Sequence, residues 1–92
     1  MERNIFDWMM TRADLLTEPI PGATLVEVSG DRRVLIECHR GVTTYGHKEI
    51  CVKVSYGIVS VHGSGLELAR MTKQQLVITG CIDCVSLIRG KA

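Results

Sequence analysis

The chain has 92 residues and a mass of 10.2 kDa, with 46% hydrophobic, 23% charged and only 4% aromatic residues. That is one domain, not disordered, with a thin core, because a chain of this size buries only about 60–65% of its unfolded surface. A net charge of +1 excludes the clustered cations of a dedicated nucleic-acid binder and the polybasic patch that reads an anionic membrane.

Residues 3–16 have the periodicity of a helix. Ile5, Met9, Ala13 and Leu16 share one face, widened by Phe6 and Met10, while Arg3, Asp7, Thr11 and Asp14 line the other. Pro19 ends it, since proline disfavours helical geometry at Glu18 and has no backbone N–H to donate. Pro19, Pro21 and Gly22 make a short stiff connector, so the expected organisation is a helix over 1–18, a connector over 19–23 and a β domain over 24–92. A helix this short is marginal alone in water. Its apolar side must therefore cover the following domain or serve as a docking face, with Ile5, Phe6, Met9 and Met10 as the contact residues for a partner. A third use is an interfacial membrane anchor through Phe6, Trp8, Met9 and Met10, although Asp7 and Asp14 offset Arg3 and Arg12.

From Thr24 the period becomes two. Apolar segments begin near Leu25, Val34, Val42, Ile50, Ile58, Leu66, Leu76 and Ile82, roughly eight residues apart, as in an all-β sandwich or barrel. The expected fold is mainly β: about eight short strands in a small antiparallel sandwich or roll, with a small β-solenoid as the alternative. Ile50, Val52 and Val54 should point one way and Cys51 and Lys53 the other. Val59 and Val61 should oppose Ile58 and Ser60. Ile82, Cys84 and Ser86 should oppose Asp83, Val85 and Leu87. Glycine-bearing stretches at 29–31, 39–41, 46–47, 55–57, 63–65 and 79–80 read as turns, and the shortness of 55–57 predicts a hairpin between 50–54 and 58–62. Residues 71–75 read as a helical turn or a wide loop.

Chemistry-bearing residues are few. Cys81 and Cys84 form a C-x-x-C, with Cys38 and Cys51 upstream, but the odd offset within one pair and the 13-residue spacing of the other suit buried thiols better than a zinc site. A cysteine-based metal or redox module is the alternative function. His39–Arg40–Gly41 reads as a polar turn or as a partner-contact loop. No nucleophile elbow, paired catalytic carboxylates or phosphate-binding glycine loop is present, so a non-enzymatic protein without cofactor is expected. No apolar run approaches the roughly 20 residues of a membrane span. The acidic Glu2 and Asp7 argue against an export signal, which points to the cytosol and reduced thiols.

Three stretches together resemble the YabP/YqfC family of sporulation proteins. Val34–Leu35–Ile36–Glu37–Cys38–His39–Arg40–Gly41–Val42 is similar to that family's L-x-I-E-N-H-R/K-G-V, with Cys38 at the usual asparagine. The run from Ser55 to Gly63 is similar to S-x-G-x-L-x-I-x-G. The run from Leu66 to Ile82 is similar to L-x-I-x-x-M/L-x-x-E-E-L-x-I-x-G-x-I, with Gln74–Gln75 at the acidic pair. The helix and proline connector are more like the YqfC branch. The resemblance implies a structural or adaptor protein of spore envelope (cortex and coat) assembly, made in the mother-cell cytoplasm and peripheral to the forespore membrane. The exposed edges of a thin sheet, which can add a strand from another copy or a partner, point to self-association, and the resemblance implies a YqfD-like membrane-anchored sporulation protein as the partner.

Overall fold

The computed structural model describes residues 23–90, which hold six strands: β1 Leu25–Ser29, β2 Arg33–Glu37, β3 Val42–Tyr45, β4 Glu49–Val54, β5 Gly57–Met71 and β6 Gln75–Arg89. The helix expected over 1–18 and most of the connector lie outside these residues. All strand pairs are antiparallel and form one sheet in the order β1-β2-β6-β5-β4-β3. Antiparallel pairing throughout excludes the solenoid, whose coils stack in parallel.

The long β5–β6 hairpin is the spine. Its open end carries β4 and β3 beside β5, and its closed end carries β2 and β1 beside β6. Val34 and Ile36 of β2 nevertheless belong to the same buried cluster as Ile50, Val52 and Val54 of β4 and Leu76 and Ile78 of β6. Strands β2 and β4 are three places apart in the sheet order, so the sheet must roll over on itself to bring them together. One curled sheet thus encloses a core that two sheets would enclose in a sandwich.

Six strands replace the expected eight because two pairs of segments fuse. The stretch 63–65 and Thr79–Gly80 lie inside β5 and β6 as irregularities rather than ending them. Backbone approaches too closely there for any side chain: a Cβ on Gly63 would lie 1.9 Å from the Cys81 carbonyl oxygen, and one on Gly80 2.6 Å from that of Gly65. Glycine therefore lets a paired strand bend sharply at the fold line without breaking. A bulge also overturns the alternation expected over 82–87. Asp83 is an extra residue between the His62–Cys84 and Gly63–Ile82 pairs, and both Ile82 and Val85 consequently pack against the core.

Along β4 the period of two holds, whereas Val59–Val61 of β5 and Leu76–Ile78 of β6 are buried on both faces, Ser60 and Val77 included. Ile50, Val52, Val54, Val59 and Val61 are buried while Lys53 is exposed, and the 50–54 and 58–62 stretches form the expected hairpin around Ser55–Tyr56. Residues 72–74 form the tip of the β5–β6 hairpin and not a helical turn. Thr72 donates its N–H to the Gln75 carbonyl at 2.7 Å, and its hydroxyl accepts from the Gln75 N–H at 3.0 Å.

The β2–β3 connection crosses from the closed end of the hairpin toward β4. Cys38 donates its N–H to the Gln74 carbonyl at 2.6 Å, Arg40 donates to that of Lys53 at 2.7 Å, and Lys53 returns a bond to Gly41 at 2.8 Å. Cys38 adopts φ 61°, the only non-glycine residue at positive φ among those described. Asparagine tolerates this region better than cysteine. Cys38→Asn is therefore expected to stabilise the protein by about 0.5–1 kcal/mol, read as a raised denaturation midpoint. An unchanged or lowered midpoint would contradict that reading.

Candidate interaction surfaces

His39 is almost fully buried, at 9% exposure, and both ring nitrogens are engaged. The Gly41 N–H donates to Nδ1 at 3.0 Å, so Nδ1 carries no proton and Nε2–H donates to the Thr72 carbonyl at 2.8 Å. The imidazole thus ties the crossover to the hairpin tip. Its neighbour Arg40 is exposed and lines an open groove of about 630 Å³ with Lys53, Tyr56 and Arg89. That lining contains three cations and no carboxylate, so the groove suits an anionic group. Of the partner-contact residues expected from sequence, Ile5, Phe6, Met9 and Met10 lie outside the described residues.

The sheet face turned away from the core holds a compact polar cluster where β4 meets β5. The hairpin register sets Glu49 opposite His62 and Cys51 opposite Ser60. Ser60 Oγ lies 2.8 Å from His62 Nε2 and 3.4 Å from Glu49 Oε2, while Cys51 Sγ lies 3.5 Å from Ser60 Oγ and 3.6 Å from Glu49 Oε2. Glu49 also approaches His62 at 3.4 Å, but at Nε2, the same nitrogen that Ser60 meets. A base activating a serine needs its orienting acid on the other ring nitrogen, and that arrangement is not present here. The cluster was readable only through pairing: an i, i+2 repeat on each strand, joined by the register that the short turn fixes.

The four cysteines are free and occupy separate settings; contrary to the expectation of buried thiols, Cys38, Cys81 and Cys84 are exposed and Cys51 is only half-buried. Cys38 sits in the crossover and Cys51 in the polar cluster. Cys81 Sγ meets Arg32 Nη1 at 2.9 Å, and Cys84 Sγ meets Ser86 Oγ at 3.3 Å. Among the described residues, no group of three or more His, Cys, Asp or Glu side chains is placed to hold a metal ion.

The remaining feature is unpaired strand edge. Among the described residues, strands β1 and β3 each pair on one side only. The far part of β5, Glu67–Met71, lies beyond β4, whose register ends at Glu49–His62. Among the described residues, the far part of β6, Asp83–Arg89, lies beyond β2 and beyond the β1–β2 turn, whose Arg32 and Asp31 carbonyls accept from the N–H groups of Gly80 and Ile82. Leu87 and Ile88 on that stretch are 62% and 50% exposed.

The described residues form a small all-β unit made from one rolled antiparallel sheet with open edges. The YabP family model matches residues 22–92, and the chain belongs to the YabP family. Membership places it among sporulation-associated proteins. No curated protein and no solved structure matches the chain. Among the described residues, no helix is long and apolar enough to cross a membrane.

Proposed function

We propose that this protein is a non-enzymatic contact module in spore envelope assembly, joining copies of itself or a membrane-anchored partner of the YqfD kind. The observation that carries this reading is the set of unpaired strand edges, which offer rows of backbone donors and acceptors to an added strand. The Arg40–Lys53–Arg89 groove adds a place for an acidic segment of that partner. The polar cluster, whose Ser60 hydroxyl is buried and faces a histidine without an oriented acid, contributes no turnover to this role. The apolar residues Ile5, Phe6, Met9 and Met10 supply a further docking face in the mother-cell cytoplasm, against the forespore membrane partner.

Removal of residues 1–18 tests this in sporulating cells. The shortened protein is expected to lose its position at the forespore and its partner while remaining folded by circular dichroism. Unchanged association together with unchanged localisation would remove the N-terminal segment from the role.

A further inference from the structure

The four open edges differ in how well they are protected. Strand β1 has only five residues with the charged Glu27 at its centre, strand β3 is short and bulged at Thr43, and the free part of β5 is interrupted at Ala69 and carries Glu67 and Arg70. Such irregularities and charges are what keep an edge from recruiting another strand. From Cys84 to Arg89, by contrast, β6 keeps an unbroken register with β5, and it contains no proline. Its only charges stand at the two ends, Asp83 and Arg89, with Leu87 and Ile88 exposed on opposite faces.

We infer that this edge pairs with the same edge of a second copy, antiparallel about a two-fold axis at Ser86. The inference rests on the contact reading above and names its partner. The register is dictated by which backbone groups are free. Gly90 N–H bonds the Tyr56 carbonyl and the Ile88 carbonyl oxygen faces Gly57, so even-numbered residues address β5. Odd-numbered Val85, Leu87 and Arg89 therefore turn their N–H and C=O groups to the open side. With the axis at Ser86, Val85 falls opposite Leu87 of the second copy, and both present free backbone groups.

The side chains agree with the same register. Asp83 falls opposite Arg89 of the second copy at both ends of the ladder, Cys84 opposite Ile88, and Ser86 opposite itself. Opposite charges directly across a ladder attract and like charges repel. A shift of two residues would bring Arg89 opposite Val85 or Asp83 opposite Leu87, leaving the charges unmatched and buried beside apolar side chains. The assembly closes as an isologous pair, because one edge is consumed by its own copy.

The test is the mass in solution of the full chain under reducing conditions, measured by sedimentation or light scattering. The wild-type protein is expected at twice 10.2 kDa. Asp83→Arg places arginine against Arg89 twice, and should raise the dissociation constant about tenfold or more. Both substituted residues are exposed, and the double variant Asp83→Arg/Arg89→Asp should restore the dimer. A monomeric wild type, or a dimer indifferent to Asp83→Arg, would overturn the pairing. A monomer whose loss still disrupts the spore envelope would overturn the pairing alone. A charge-sensitive dimer whose loss leaves the envelope intact would support the pairing and overturn the envelope role.

Discussion

Ile78→Asp is expected to prevent folding. Ile78 has no exposed surface and lies in the cluster that joins β2, β4, β5 and β6, so it is packed from both halves of the rolled sheet. Its pairs, Val34 on β2 and Leu68 on β5, are apolar. An aspartate there loses the isoleucine's packing, about 2–5 kcal/mol, and holds a carboxylate without a partner, about 5 kcal/mol or more again, which together match the whole stability of such a fold. A domain this small has about 5–10 kcal/mol of total stability. Far-ultraviolet circular dichroism and the spread of amide proton shifts should report a largely unfolded chain, while Ile78→Val should cost only about 1 kcal/mol. A folded Ile78→Asp protein would mean that the rolled core does not form as described.

Gly63→Val should be nearly as damaging for a different reason. The Cβ would meet the Cys81 carbonyl oxygen at 1.9 Å, a backbone atom of the paired strand that no rotamer can avoid. Strands β5 and β6 would have to separate at the fold line, at an expected cost of about 3 kcal/mol or more. Gly46→Ala is the matched control, since its Cβ would sit 3.5 Å from the Glu49 carbonyl oxygen, an ordinary contact. Urea denaturation should leave the control within about 0.5 kcal/mol of wild type. Equal midpoints for the two variants would contradict the close approach.

The parts of the fold legible in sequence were those set by local pattern. Ile50, Val52 and Val54 alternate with exposed or half-exposed residues because one face of β4 meets the core, and the Ser55–Tyr56 turn is short enough to fix its register. Strand length was not legible. Glycine both ends strands and permits bulges, and only the partner backbone at Gly63 and Gly80 distinguishes the two uses. His39 illustrates the same division. Its bond from Gly41 is local and open to sequence reasoning, whereas its bond to Thr72 spans 33 residues and depends on the crossover. The open stretch of β6 depends on sheet order, which puts β2 beside its first part only.

Amide exchange in the full-length protein tests the contact account most directly. Val85, Leu87 and Arg89 have N–H groups that address no strand among the described residues, while Ser86 and Ile88 address β5. The account predicts slow exchange at Val85 and Leu87 that becomes slower as protein concentration rises, approaching that of Ser86 and Ile88. Rapid exchange at Val85 and Leu87 at every concentration would contradict it.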